Sequence, residues 1–555
     1  MPGPRSLAAL WAGKAVRLGL VAARRGATAL PGLVALALDP RLLRAVGTSL
    51  AHGAVCVTGT NGKTTTARML AAMAREAGWA PVHNRAGSNL DRGIAATLLA
   101  DATWRGVPRS DVGVFEVDEA SVTRVLAGLA PRVVVVTNLF RDQLDRYGEL
   151  DALARRMAAA IAALPPTTTL VLNADDPLVT VLGDRHRGAV TFFGIDDPGI
   201  GTSDARDGGD DSGARISRLG VRTAGARDGG DGTGTRIDDP GIDTSGARGG
   251  GEGHSAPIGG PGSGASVARD VGDGTDIHTR PDATGGAAGR TISDATRCPR
   301  CRAPLAYRRV VLAHEGDWSC AACGFARPSR DVAATRVAQE AGGLTLTVAG
   351  EPIHVPLRGA YNAANALAAL AAAAALGIPR DAAVRALATF RPAFGRQETL
   401  DVDGRRVRLL LVKNPAGFDA AVASLAAPER SLQPAVASLA TTERSLRLLV
   451  ALSDRDADGR DVSWIWDCDV ERLAPAVEHA VVTGLRAEDL ALRLKYAGLA
   501  RERTRVTARW RPALEGAIAA TPRGGELVVL ATYTAMQALR AELARAGHAS
   551  RFWED

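Results

Sequence analysis

The sequence is poor in aromatics, which make up 4% of its 555 residues, and it holds only six cysteines. So few cysteines in so long a chain exclude a disulfide scaffold and fit a reducing, cytoplasmic setting. No apolar run reaches signal-peptide or membrane-spanning length, because Lys14, Arg17, Arg24 and Arg25 break the N-terminal stretches. The net charge of +7 comes mostly from scattered arginines. No basic block interleaves with aromatic residues, so nucleic acid is not an expected partner. The apolar share of 46% is that of a globular protein, and the length suits three or four domains.

What is present centres on Ala54-Val-Cys-Val-Thr-Gly-Thr-Asn-Gly-Lys-Thr-Thr-Thr66. The apolar run Val55–Val57 reads as a buried strand, Thr58–Gly62 as a turn and Lys63–Glu76 as a helix. Strand, glycine turn and helix with Lys-Thr at its start form a phosphate cradle. Thr60, Asn61, Gly62 and Thr65 would surround the phosphates, Lys63 would reach the terminal ones, and the Thr64 hydroxyl can ligate Mg²⁺. The full P-loop pattern has glycine where this chain has Val57, so the match is to a shortened variant. A nucleoside triphosphate, ATP in the reading below, is the expected ligand.

Strands near Val112–Val117, Arg132–Thr137, Thr169–Asn173 and Val190–Phe193 alternate with helical segments. This implies a mostly parallel sheet covered on both faces, with ligands at the strands' carboxyl ends. Residues 1–50 are helical lead-in, and Leu7–Ala23 reads as an amphipathic basic helix that packs on the body and allows peripheral membrane contact. Between about 196 and 295 the composition turns to Gly, Asp, Arg, Ser and Thr with internal duplications, which predicts a disordered insertion. Cys298-Pro-Arg-Cys301 and Cys320-Ala-Ala-Cys323 are paired knuckles; four thiolates with no position left for water predict a structural Zn²⁺. A hairpin over 344–355 and an Ala/Leu helix to Leu376 follow. A last αβ block has strands near 409–412, 447–452, 480–482 and 526–531, interrupted by a duplication over 421–446.

These motifs together with Phe115-Glu-Val-Asp-Glu-Ala120, Thr137-Asn-Leu-Phe-Arg-Asp-Gln143, Tyr361-Asn-Ala-Ala-Asn365 and Asp458-Gly-Arg-Asp-Val-Ser-Trp-Ile-Trp-Asp467 resemble the Mur ligase superfamily. Within it, the ribbon and the 458–467 stretch point to the MurT-type subunits. The resemblance implies an α/β fold: a lead-in over 1–50, then a central P-loop domain over 51–393 with a parallel sheet and a Cys₄ zinc ribbon inserted at 296–328. A Rossmann-like domain over 394–555 completes it. It also implies activation of the D-glutamate α-carboxylate of the lipid II stem peptide by ATP, with ammonia from a GatD-like glutaminase, at the inner face of the cell membrane. Glu116 corresponds to an acidic Mg²⁺ ligand, Asn362 to an adenine contact and Arg396 to an arginine near the nucleotide. Gln143 stands where amino-acid-adding relatives carry histidine, which puts a second Mg²⁺ in doubt. Lys413-Asn414 would close over ribose or phosphate. Asp461, between Asp458 and Asp467, is the candidate for completing the partner's Cys-His-Asp triad. Two other readings are an amino-acid-adding ligase of the Mur or folylpolyglutamate kind and a non-catalytic nucleotide-binding scaffold.

Overall fold

Strand β1 (Ala54–Thr58) is buried at every residue, because it lies between two parallel neighbours with helices over both faces. Those neighbours are β3 (Val112–Glu116) and β4 (Val133–Val136), and the register sets Val57 beside Glu116 and Val135. Side chains alternate across the sheet. Val55 and Val57 pack with Met69, Leu70 and Met73 of the helix Lys63–Glu76 and with Leu367 of the helix Ala360–Leu376. Cys56 and Val134 face the other way, toward Leu98, Leu126 and Met157.

The computed structural model describes residues 3–23, 28–84, 88–142, 150–200, 294–340, 342–391, 396–426 and 445–549. Gln143, most of the insertion and most of the 421–446 duplication therefore lie outside the described residues, as does the side chain of Arg396. The other strands of the first sheet are β2 (Pro81–His83), β5 (Thr169–Asn173), β6 (Val190–Ile195), β9 (Val332–Glu340), β10 (Gly343–Val348) and β11 (Glu351–Val355). Their order is β11-β10-β9-β6-β5-β4-β1-β3-β2. Every pair from β2 to β9 is parallel, and β9, β10 and β11 close the edge as an antiparallel meander. Between β6 and β9 in sequence, β7 (Ala306–Leu312) and β8 (Glu315–Ser319) form a separate antiparallel hairpin that belongs to the ribbon.

From residue 396 onward a second sheet follows: β12 (Arg396–Val402), β13 (Arg405–Leu411), β14 (Leu446–Ala451), β15 (Val477–Thr483), β16 (Thr504–Val506) and β17 (Glu526–Ala531). Its order is β12-β13-β17-β14-β15-β16, parallel apart from the β12 edge, with apolar cores on both faces. Both sheets belong to the same unit of the chain.

Two expectations are corrected. Residues 196–200 and 294–295, assigned by composition to the insertion, are built into the fold. Asp196 pairs with Arg327 and Arg330, Asp294 pairs with Arg141, and Ala295 is buried. The N-terminal helix exists (Pro4–Ala22) and packs on the body through Ala9, Leu10 and Gly13, but its charge is not all turned outward: Lys14 is buried with them, while Trp11 and Leu18 are exposed.

Candidate functional site

The loops after β1, β3 and β4 converge, as expected for a parallel sheet. The first is the turn Gly59–Gly62, whose glycines take left-handed φ values of 121° and 87°. A Cβ on Gly59 would lie 2.3 Å from Thr137 Oγ1, so the turn is pressed against the loop after β4. That loop holds it by hydrogen bonds: Asn61 N–H donates to Asn138 Oδ1 (2.8 Å), Thr60 N–H to the Asn138 carbonyl (2.9 Å) and Thr137 Oγ1 to the Asn61 carbonyl (2.7 Å). Thr60 Oγ1 accepts from the Phe140 N–H at 3.0 Å, so this side chain serves the loop pairing.

Lys63 and Thr64 open the helix at the end of β1. Lys63 Nζ is folded back on the turn, donating to the Gly59 carbonyl at 2.5 Å and to Glu119 Oε1 at 2.8 Å. Burial works against its charge, but Glu119, Glu116 and Asp118 outweigh this and raise its pKa, so it stays an ammonium. Thr64 Oγ1 donates to Glu116 Oε2 at 2.6 Å. The two predicted Mg²⁺ ligands are thus neighbours beside the lysine. Asn84 fixes the end of β3 by accepting from the Glu116 N–H and donating to its carbonyl, both at 2.8 Å.

A solvent-open cleft of about 840 Å³ adjoins this cluster. Asn61, Gly62 and Thr65 line one side, Tyr361, Asn362 and Asn365 another, and Gln397 with the helix Pro415–Ala426 a third. Asn362 does not cap its helix, whose N-cap is Gly359. Its Nδ2 donates to the Arg358 carbonyl at 2.7 Å, and its Oδ1 accepts from Asn365 at 3.1 Å. Asn61 and Asn414 exchange amide contacts at 3.2 and 3.3 Å, and Lys413 pairs with Asp142. The second sheet therefore meets the phosphate turn through the segment expected to close over it.

The ribbon reaches the same cleft. Its four sulfurs all lie within 4.8 Å of one another, with Cys298–Cys323 at 3.6 Å and Cys301–Cys320 at 3.5 Å. A tetrahedron of thiolates about 2.3 Å from a central Zn²⁺ has edges of about 3.8 Å. The set fits such an ion and could hold one. At the hairpin tip, Glu315 lines the cleft and accepts from Asn173 Nδ2 at 2.9 Å. Burial first, then Asp176 and Asp175, pushes its pKa well above the usual carboxylate range, which favours the protonated form.

Asp461 is exposed at the start of the short helical turn Ser463–Asp467, and hydrogen bonds from Ser463 lower its pKa. Asp458 is buried and accepts from the Thr534 N–H at 2.8 Å, so it anchors a helix start. Asp467 faces Arg141 at 3.3 Å. Cys56 and Cys468 are buried, and burial raises both thiols, which disfavours a thiolate at either. Sequence reasoning missed Glu119, Asn84, Gln397 and Glu315. The first was within reach, because the quoted Phe115–Ala120 motif contains it.

Residues 57–214 match the Mur ligase middle domain family and residues 411–536 the MurT ligase C-terminal family. The chain is 27% identical over 538 residues to the lipid II isoglutaminyl synthase (glutamine-hydrolyzing) subunit MurT of Streptococcus pneumoniae, covering 96% of each. The Staphylococcus aureus (strain COL) protein of that name is 27% identical over 496 residues, covering 89% of this chain and 88% of the relative. Among solved structures, a pseudomurein peptide ligase type C from Methanothermus fervidus superposes with a TM-score of 0.54 at 19% identity, covering 89% of this chain and 78% of that one.

Proposed function

Because this chain belongs to the Mur ligase superfamily, in its MurT group, and is an ATP-dependent ligase, we propose that it amidates the D-glutamate α-carboxylate of the lipid II stem peptide to D-isoglutamine. The observation that carries this reading is the buried Lys63–Glu119 pair beside the Thr64–Glu116 hydrogen bond, on the same turn and helix start whose Asn61, Gly62 and Thr65 line the cleft. The full-length similarity to glutamine-hydrolyzing subunits supports a separate GatD-like glutaminase as partner.

In this reading ATP lies across the phosphate turn, with its base toward Tyr361, Asn362 and Gln397. Lys63 leaves the Gly59 carbonyl and Glu119 to meet the terminal phosphates. Thr64 and Glu116 hold Mg²⁺, which screens the phosphate charge when bound. The carboxylate oxygen attacks the γ-phosphorus, the bond to ADP breaks, and an acyl phosphate forms. Ammonia then attacks the acyl carbon and phosphate leaves. Asn84 keeps Glu116 in register with β1, and Lys413–Asn414 closes the second sheet over the turn. The four cysteines hold structural Zn²⁺, and the lipid-linked substrate brings the protein to the inner face of the membrane.

Asp461 presents a carboxylate that can orient a histidine of the glutaminase. The test pairs lipid II amidation from ammonium with amidation from glutamine in the presence of the partner. Asp461→Asn should lose glutamine-driven turnover and keep the ammonium-driven reaction. Transfer of a free amino acid in place of ammonia, or equal loss with both donors, would overturn the corresponding part of the reading.

A further inference from the structure

Among the described residues thirteen large apolar side chains are exposed; six of them lie in the first 50 residues, and a seventh, Trp104, belongs to the loop bonded to Trp11. Trp11, Leu18 and Val21 stand on the helix Pro4–Ala22 at 51–54% exposure, and Leu30, Leu33 and Leu38 on the helix Leu30–Leu38 at 47–48%. Apart from Ser6, Arg5, Lys14 and Arg17 the helix Pro4–Ala22 is apolar, and the apolar face of a helix is ordinarily buried. This one is packed on one side only. Its exposed face runs Pro4, Ala8, Trp11, Ala15, Leu18, Ala22, a stripe at helical spacing with no charge on it.

The side that faces the body carries the lysine. Lys14 Nζ donates to the carbonyls of Leu99 at 2.6 Å and Ala102 at 2.5 Å. The helix cannot simply be turned over, because Gly13 sits where a Cβ would come within 2.7 Å of Leu99 Cδ1. Trp11 Nε1 donates to the Trp104 carbonyl at 2.8 Å, and Arg5 Nε to the Leu38 carbonyl at 2.9 Å, so the two helices and the Trp104 loop are tied together. The outward apolar stripe is therefore fixed by the packing beneath it.

Charge indicates what covers it. Residues 1–50 contain seven basic residues and one acidic residue, Asp39. Asp39, bonded to Ser6 Oγ, and Lys14 are both buried, while among the described residues Arg5, Arg41 and Arg44 are exposed and Arg17 is half-buried, so the surface of this region is cationic. A second copy applied to the same face would bring like charge onto like. No helix of the described residues is long and apolar enough to cross a membrane. We propose that the helices Pro4–Ala22 and Leu30–Leu38, with the Trp104 loop, form a docking surface for an anionic lipid bilayer. The apolar stripe enters the interface and the arginines meet lipid phosphates. This goes beyond the ligase reading and stands without it.

The test is flotation of the full chain with phosphatidylglycerol vesicles or phosphatidylcholine vesicles, without nucleotide or muropeptide. The chain should float with the anionic vesicles and stay behind with the zwitterionic ones. Leu18→Ser/Val21→Ser, whose wild-type side chains are both 54% exposed, should keep the thermal midpoint yet cut the bound fraction by about tenfold or more. Arg17→Glu should do likewise at low salt. A wild type that ignores anionic vesicles, or a double variant that floats equally well, overturns the proposal. So does a lipid-free dimer that the double variant abolishes, which would assign the face to a second copy. ATP binding is scored on the same preparation, so failure of the ligase reading is told apart from failure of this one.

Discussion

Gly62→Ala tests the phosphate turn at its tightest point. Gly62 has φ of 87° and caps the helix that starts at Lys63. A Cβ there would lie 2.1 Å from Asn365 Oδ1, so Asn365 must move by more than 1 Å to restore an ordinary contact of about 3.4 Å. Left-handed backbone costs an L-residue roughly 1–2 kcal/mol. Moving Asn365 also breaks its 3.1 Å hydrogen bond to Asn362, worth about 1 kcal/mol. The expected loss of stability is therefore roughly 2–3 kcal/mol. Gly78→Ala is the matched control just past the other end of the same helix. It has φ of 82° with nothing within 4 Å of the added Cβ, so only the backbone cost of roughly 1–2 kcal/mol applies. Urea unfolding measures both costs, and calorimetry with ATP measures the consequence at the site. Gly62→Ala should weaken ATP by at least about tenfold, or 1.4 kcal/mol, while Gly78→Ala leaves affinity unchanged. Equal stability losses and wild-type affinity in Gly62→Ala would refute the placement of ATP on this turn.

Lys63→Ala should abolish ATP consumption and also destabilise the chain by roughly 3–5 kcal/mol, because Glu119 is left buried without its partner. Adding Glu119→Gln should restore the urea midpoint but not phosphate release; recovery of both would remove Lys63 from the chemistry. Stripping the ribbon with a chelator, or replacing Cys301 by Ser, should lower the thermal midpoint. It should also weaken ATP, because the same hairpin places Glu315 in the cleft. Metal content measured alongside ATP affinity checks this, and unchanged affinity in a metal-free ribbon would separate the two. Burial raises Asp419 from 3.8 to about 7 despite its hydrogen bond from the Asp469 N–H at 2.9 Å. A raised acid binds its proton more tightly in the folded state. Its contribution is complete below pH 3.8 and is lost as pH rises through about 7. Asp419→Asn should therefore stabilise the chain at pH 8 relative to wild type and change little at pH 4, as read by urea midpoints.

What was legible in the sequence and what was not divides along one physical line. Strands such as Val133–Val136 are buried on both faces, so they announce themselves as unbroken apolar runs. The turn Gly59–Gly62 is legible because its backbone demands residues that little else in a chain demands. Strand Val332–Glu340 escaped because it shows an irregular mixture of buried and exposed residues, with Arg336 and Gln339 among its apolar positions. The missed site residues share a different cause. Lys63 meets Glu119 across 56 residues, and Asn173 meets Glu315 across 142. Such pairings depend on which strands become neighbours, and composition and periodicity carry no record of that. The N-terminal helix shows the same limit: spacing gave a helix, but which face turned inward was settled by Gly13 against Leu99 and by carbonyls free to receive Lys14. A local pattern can name an element and its chemistry, whereas the orientation of its charges is a tertiary property. The site residues most worth mutating, Glu119 and Glu315, are therefore those whose roles exist only once the sheet and the ribbon have come together.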